Sequence, residues 1–144
     1  MNPFDGLLYR AFSGETIDVS AAANSLVHVL AEPVLLEHAA VTYVSVGAAV
    51  STRFVELDLL DASDNVLAPH AGDLAQLGDL TRYYAFGRAL PSDAAFVNGT
   101  LRRPLLLYRL EAGWKIRVQD NDDTTENDTI RLVATVRPIG PVNA

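Results

Sequence analysis

The stretch from Gly113 to Arg137 constrains the fold of this chain more than any other. Trp114, Ile116 and Val118 alternate with Lys115, Arg117 and Gln119. A nine-residue polar loop follows, Asp120-Asn121-Asp122-Asp123-Thr124-Thr125-Glu126-Asn127-Asp128. Ile130, Leu132, Ala134 and Val136 then alternate with Thr129, Arg131, Val133 and Arg137. A period of two puts alternate side chains on opposite faces of a strand. The pattern therefore predicts two half-buried strands, paired with each other as an antiparallel hairpin.

Shorter segments of the same kind precede it. Thr16 to Val19, Leu26 to Ala31, Val41 to Val46, Arg53 to Leu60, Val66 to Ala68, Tyr83 to Leu90 and Leu105 to Leu110 all read as strands. Asp61 to Asn65 and Asn98-Gly99 are turn chemistry. Pro69 to Leu80 reads as a loop or one helical turn. The periodicity of a long amphipathic helix is not evident. About eight strands, with turn signals every ~8–12 residues, match a sandwich or barrel. A single sheet would leave one apolar face in water, whereas two stacked sheets bury both. The expectation is an all-β fold: an antiparallel β-sandwich, jelly-roll-like, of about eight strands. At 144 residues the chain has the size of one domain. Residues 1–25 read as an N-terminal arm or first strand, and residues 26–144 as the sandwich.

Composition narrows the function. The net charge of −7 opposes sequence-independent binding to nucleic acid or to anionic lipid. With no cysteine, a disulfide framework, a thiolate nucleophile and a Cys-ligated zinc site are excluded. The N-terminus lacks the pattern of a signal peptide, and the apolar run Ala39 to Val50 is shorter than the ~18–20 residues of a spanning helix. A soluble protein, without membrane or nucleic-acid partners and without a cofactor, is expected.

Candidate chemistry is sparse. The acidic loop offers Asp120, Asp122, Asp123 and Asp128 as oxygen ligands for a hard cation such as Ca²⁺. It misses the EF-hand spacing, since Thr125 and Arg131 stand where Gly and Glu are needed. Read plainly, it is a solvated loop whose charge resists aggregation. Glu56 and Asp58 share one strand face, as a glycosidase pair could, but outward carboxylates on a strand are ordinarily solvated. His28, His38 and His70 form no metal spacing. Trp114 reads as core, and Tyr83 and Tyr84 point to opposite faces, so one of them is exposed. Lys115, Arg117 and Arg131 form a candidate partner surface. If the hairpin set Arg117 opposite Arg131, the two cations would need a carboxylate from the loop or from another subunit. No catalytic set converges.

The segment Leu110-Glu111-Ala112-Gly113-Trp114-Lys115-Ile116-Arg117-Val118, followed by a polar loop and Asn127-Asp128-Thr129-Ile130-Arg131-Leu132, resembles a pattern of small tailed-phage virion proteins. These are β-sandwich proteins of similar size that serve as capsid decoration (cement) or as other minor structural proteins. The resemblance covers about the last quarter of the chain and supplies no catalytic residues. It implies a non-enzymatic protein of the virion, made in the host cytoplasm, on the capsid surface. Such a protein associates as a homotrimer and bridges subunits of the major capsid protein. The apolar residues Phe4, Leu7, Leu8, Tyr9 and Phe12 of the N-terminal segment would then reach a partner. A head-tail or tail minor structural protein is an alternative within this class. A calcium-dependent or carbohydrate-binding β-sandwich module is the alternative outside it.

Overall fold

A computed structural model describes residues 14–47, 52–105, 108–120 and 128–139. The described residues form strands and no helix. The strands are β1 (Glu15–Ala21), β2 (Ser25–Val29), β3 (Val34–Ser45), β4 (Thr52–Arg53), β5 (Val55–Leu60) and β6 (Val66–Ala71). They continue with β7 (Gln76–Leu77), β8 (Leu80–Gly87), β9 (Thr100–Pro104), β10 (Tyr108–Leu110), β11 (Lys115–Asp120) and β12 (Thr129–Pro138).

One sheet runs β1-β12-β3-β8-β9, with β10 also on β3, and the other runs β2-β11-β5-β6. Apart from β9 and β10, the strands of these two sheets in chain order are β1, β2, β3, β5, β6, β8, β11 and β12. The first pairs with the last, the second with the seventh, the third with the sixth and the fourth with the fifth, all antiparallel. Contacts β12–β3 and β11–β5 then close the two sheets. This is one long hairpin rolled around a core, the winding of a jelly roll. The expected fold class is therefore the observed one.

The core follows from strand parity. Ile116 and Val118 of β11, with Leu57 and Leu59 of β5, face Ile130, Leu132 and Ala134 of β12 and Val41 and Tyr43 of β3, all of them buried. Their outward neighbours alternate with them as a period of two requires. Trp114 packs partly buried against this core, and Tyr84 is buried where Tyr83 is exposed, as expected. Asn98 and Gly99 take the positive φ values 51° and 76°, while Val97 and Thr100 exchange two backbone hydrogen bonds. This is the tight turn that the Asn-Gly dipeptide predicts.

Four expectations are corrected. The two C-terminal strands are not a hairpin. β11 pairs with β2 and β5, and β12 pairs with β1 and β3, so the polar loop carries the chain from one sheet to the other. A period of two identifies a strand but does not choose its neighbour. β3 starts at Val34, seven residues before the predicted start at Val41. A bulge lies at Glu37 and His38, where the pairing shifts and two consecutive residues face outward. That extra residue breaks the alternation by which a strand is read. Pro69 to Leu80 holds no helical turn: β6 runs through Pro69 to Ala71, and Gln76–Leu77 bridges to β4. Pro69 is tolerated because β6 ends its sheet, where a strand needs hydrogen bonds on one side only. Finally, β9, with its Arg102-Arg103-Pro104, is a strand that the apolar pattern does not predict, and it runs parallel to β8 in an otherwise antiparallel sandwich.

Candidate functional site

Three charged residues end three inward-facing rows. Arg53 precedes Val55, Leu57 and Leu59 at the same parity; Asp120 follows Ile116 and Val118; Asp128 precedes Ile130 and Leu132. The fold brings all three to one end of the sandwich. Arg53 and Asp128 are both 0% exposed and form a bidentate ion pair, Nε to Oδ2 at 2.9 Å and NH2 to Oδ1 at 3.0 Å. Tyr43 donates its hydroxyl to Asp128 Oδ2 at 2.7 Å, and the Val46 amide donates to Oδ1 at 3.0 Å. Burial pushes the Asp128 carboxyl up, but the hydrogen bonds from Arg53, Tyr43 and Val46 outweigh it and hold it below the usual carboxylate range. Burial and the same hydrogen bond push the Tyr43 phenol well above its ordinary value. Asp120 accepts from the Phe54 amide at 3.0 Å.

These contacts engage two of the cation candidates. Asp128 spends both oxygens on an arginine, a tyrosine and an amide, and Asp120 anchors a backbone N–H. Asp122 and Asp123 lie outside the described residues. Among the described residues no group of three or more His, Asp or Glu is placed to hold a metal ion. Beside the ion pair, Gln76 donates to Tyr43 O, Ser45 Oγ and Leu80 O and accepts from the Tyr84 hydroxyl. The end of the sandwich is thus closed by paired polar groups.

The predicted partner surface divides. Arg117 lies on β11 and Arg131 on β12, in different sheets, so they do not face each other. Each has its own carboxylate: Arg117 reaches Asp58 at 2.7 Å, and Arg131 reaches Asp18 at 2.7 Å. Lys115 pairs with Asp64. The charges that seemed to need a partner are met within the chain. Phe4, Leu7, Leu8, Tyr9 and Phe12 lie outside the described residues. His28, His38 and His70 sit on β2, β3 and β6 without converging, and His70 meets the Phe86 ring edge-on at 6.4 Å between centroids.

Asp58 departs from the solvated state expected of the Glu56–Asp58 pair. Asp58 points outward yet is 1% exposed. β5 is an inner strand, and Arg117 on one side and Pro69 on the other stand level with Asp58. Asp58 Oδ2 accepts from Arg117 Nε at 3.2 Å and NH2 at 2.7 Å, and from Gln119 Nε2 at 3.1 Å. Its Oδ1 is buried with no N–H donor among the described residues. Glu56 lies two residues back on the same face. Its carboxyl is pushed up to about 7, first by burial and then by its hydrogen bond to Asp58 and the charges of Asp58 and Asp73, against the pull of Arg117. Glu56 also lines a shallow depression of about 130 Å³ with Phe54, Val55, Ala71 and Asp73. Glu56 therefore keeps its proton to a higher pH than an isolated carboxyl does.

Two tests follow from these networks. Asp128→Asn keeps the shape of the side chain but leaves Arg53 buried without its counter-charge, and should cost about 3–5 kcal/mol in urea unfolding at pH 7. Glu56 has a higher proton affinity in the folded chain than its ordinary 4.5, so its contribution to stability is complete below that value and fades as pH rises through about 7. Glu56→Gln should therefore unfold at a higher urea midpoint than the parent chain at pH 8. The two midpoints should converge at pH 4.

No family model matches the chain, and no curated protein matches it. Solved structures similar to it include that of infectious bursal disease virus, Gt strain, at 7% identity and a TM-score of 0.34, over 92% of this chain and 33% of the viral one. The structure of infectious bursal disease virus, Gx strain, aligns at 4% identity and a TM-score of 0.31, over 88% of this chain and 31% of the viral one. The chain thus spans about a third of the viral chains it aligns with, and at this similarity the alignments carry no argument about its role.

Proposed function

We propose that this chain is a non-enzymatic structural protein of a virion, of the capsid-decoration type, binding the outer face of the shell and bridging major capsid subunits. The observation that carries the reading is the jelly-roll winding, with the residues of the virion-protein pattern at its centre. Leu110 to Val118 leads into β11, and Asp128 to Leu132 opens β12. Each of these strands is an inner strand, one in each sheet. The pattern is therefore a property of the core and not of a loose tail. Jelly rolls serve in viral capsids, in lectins and in cupins, so the winding alone does not choose among them. The C-terminal pattern favours the capsid.

The physics of such a protein is linkage. A chain that binds only the mature lattice stabilises that lattice by its binding free energy. Purified expanded capsids that lack the protein should co-sediment with it and melt at a higher temperature when it is added to saturation. Capsids that leave it in the supernatant would overturn the reading.

A carbohydrate-binding module is the second reading, and one observation favours it. Tyr83 is 47% exposed on the outer face of the first sheet, level with Thr42 and Thr100. An exposed aromatic ring between hydroxyl groups can stack on a sugar. Glycan-array binding that is lost in Tyr83→Ala, with no binding to capsids, would move the assignment to this reading.

A further inference from the structure

The described strand orders of the two main sheets end on β1, β9, β2 and β6, and three of these four strands are guarded. β1 carries Glu15 and Asp18, with Asp18 paired to Arg131. β9 carries Arg102, Arg103 and Pro104. β6 carries Pro69 and an irregular register at Leu59/Leu60. Charges, prolines and bulges are the devices by which natural edge strands refuse a further strand. β2 has none of them. Its sequence is Ser25-Leu26-Val27-His28-Val29, without Lys, Arg, Asp, Glu or Pro. It pairs with β11 through five consecutive residues with no register shift.

The open side of β2 is defined by its hydrogen bonds. Leu30 donates to Trp114 O and accepts from Gly113 N, and Asn24 O accepts from Asp120 N. Both residues turn their backbone toward β11. Alternation gives Leu26 and His28 the same direction and turns the N–H and C=O of Ser25, Val27 and Val29 outward. Among the described residues no strand pairs with that side. Val27 and Val29 are 50% and 53% exposed there. This edge offers a row of backbone donors and acceptors beside an apolar strip.

We infer that two copies of this chain join edge to edge, β2 against β2, in an antiparallel two-fold pair centred on Val27. The strand is self-complementary in that register. Val27 meets Val27 of the other copy, and Ser25 meets Val29, so each copy donates the N–H groups of these residues and accepts at their carbonyls. The valines of both copies gather on one face, as favourable cross-strand pairs do. No charge lies on the seam. Two carboxylates, Glu15 and Glu32, line a groove with Leu30 and Val34 beyond the Val29 end. The antiparallel arrangement sends the two sets to opposite ends of the seam, where they do not repel. The contact is isologous and closes at two copies. It differs from the threefold association that the virion resemblance implies, and it needs no capsid to form.

Light scattering on a sizing column, over a dilution series, tests it. The mass should rise with concentration from one chain of 15.5 kDa to twice that value. Val27→Lys should remain a monomer at every concentration, with the far-ultraviolet circular dichroism and melting curve of the diluted parent. Val27→Pro should do the same, since it removes only an outward N–H. Amide exchange in the parent chain provides a readout without substitution. Val27 and Val29 should exchange more slowly as the dimer forms, while His28, already bonded to β11, should not change. A parent chain that stays at 15.5 kDa, a threefold mass, or a dimer that survives Val27→Lys would each overturn the inference.

Discussion

The buried ion pair between Arg53 and Asp128 is the constraint on which the rest of the molecule depends. The polar loop crosses from one sheet to the other, and both its ends are held by one dipeptide. Arg53 grips Asp128 at the start of β12, and the Phe54 amide grips Asp120 at the end of β11. Tyr43 of β3 completes the carboxylate's coordination from the middle of the first sheet. A buried pair gains little over well-packed apolar groups, because desolvating two charges is costly. Its effect is on the alternatives. Any register that draws Asp128 away from Arg53 strands a charge in the core, which costs several kcal/mol.

With that end closed, the jelly roll pairs its strands from the outside inward, and each outer face settles its charges locally. Arg117 with Asp58 and Arg131 with Asp18 are cross-strand neighbours within their own sheets. With Lys115 paired to Asp64, all three cations of the candidate partner surface have carboxylates within the chain. The Glu56–Asp58 pair differs in kind. Asp58 is buried between Arg117 and Pro69, and burial together with Asp58 raises the proton affinity of Glu56.

The all-β class, the sandwich and the inward residues of β5, β11 and β12 were legible because they rest on a period of two, which is local. The ion pair was legible in part. Arg53, Asp120 and Asp128 each stand at the inward parity of a strand, an unusual place for a charge, and that parity is visible without coordinates. The acidic loop drew attention as a set of cation ligands instead, because its composition is conspicuous and its partner lies 75 residues away in sequence. β3 was shortened by its bulge at Glu37 and His38, and β9 was hidden by its arginines and proline. In both, a local irregularity masked the alternation on which reading a strand depends.

By itself the sequence determined the fold class, the strands with clean alternation and the side of each that turns inward. These follow from the apolar pattern and from the cost of leaving apolar surface in water. Tertiary structure alone decided which strands are neighbours: that β11 and β12 part into different sheets, that Asp58 is buried on an outward face, and that β2 pairs on one side only among the described residues. Pairing depends on where a chain returns after long excursions, and nothing in the local pattern of a strand encodes the identity of its neighbour.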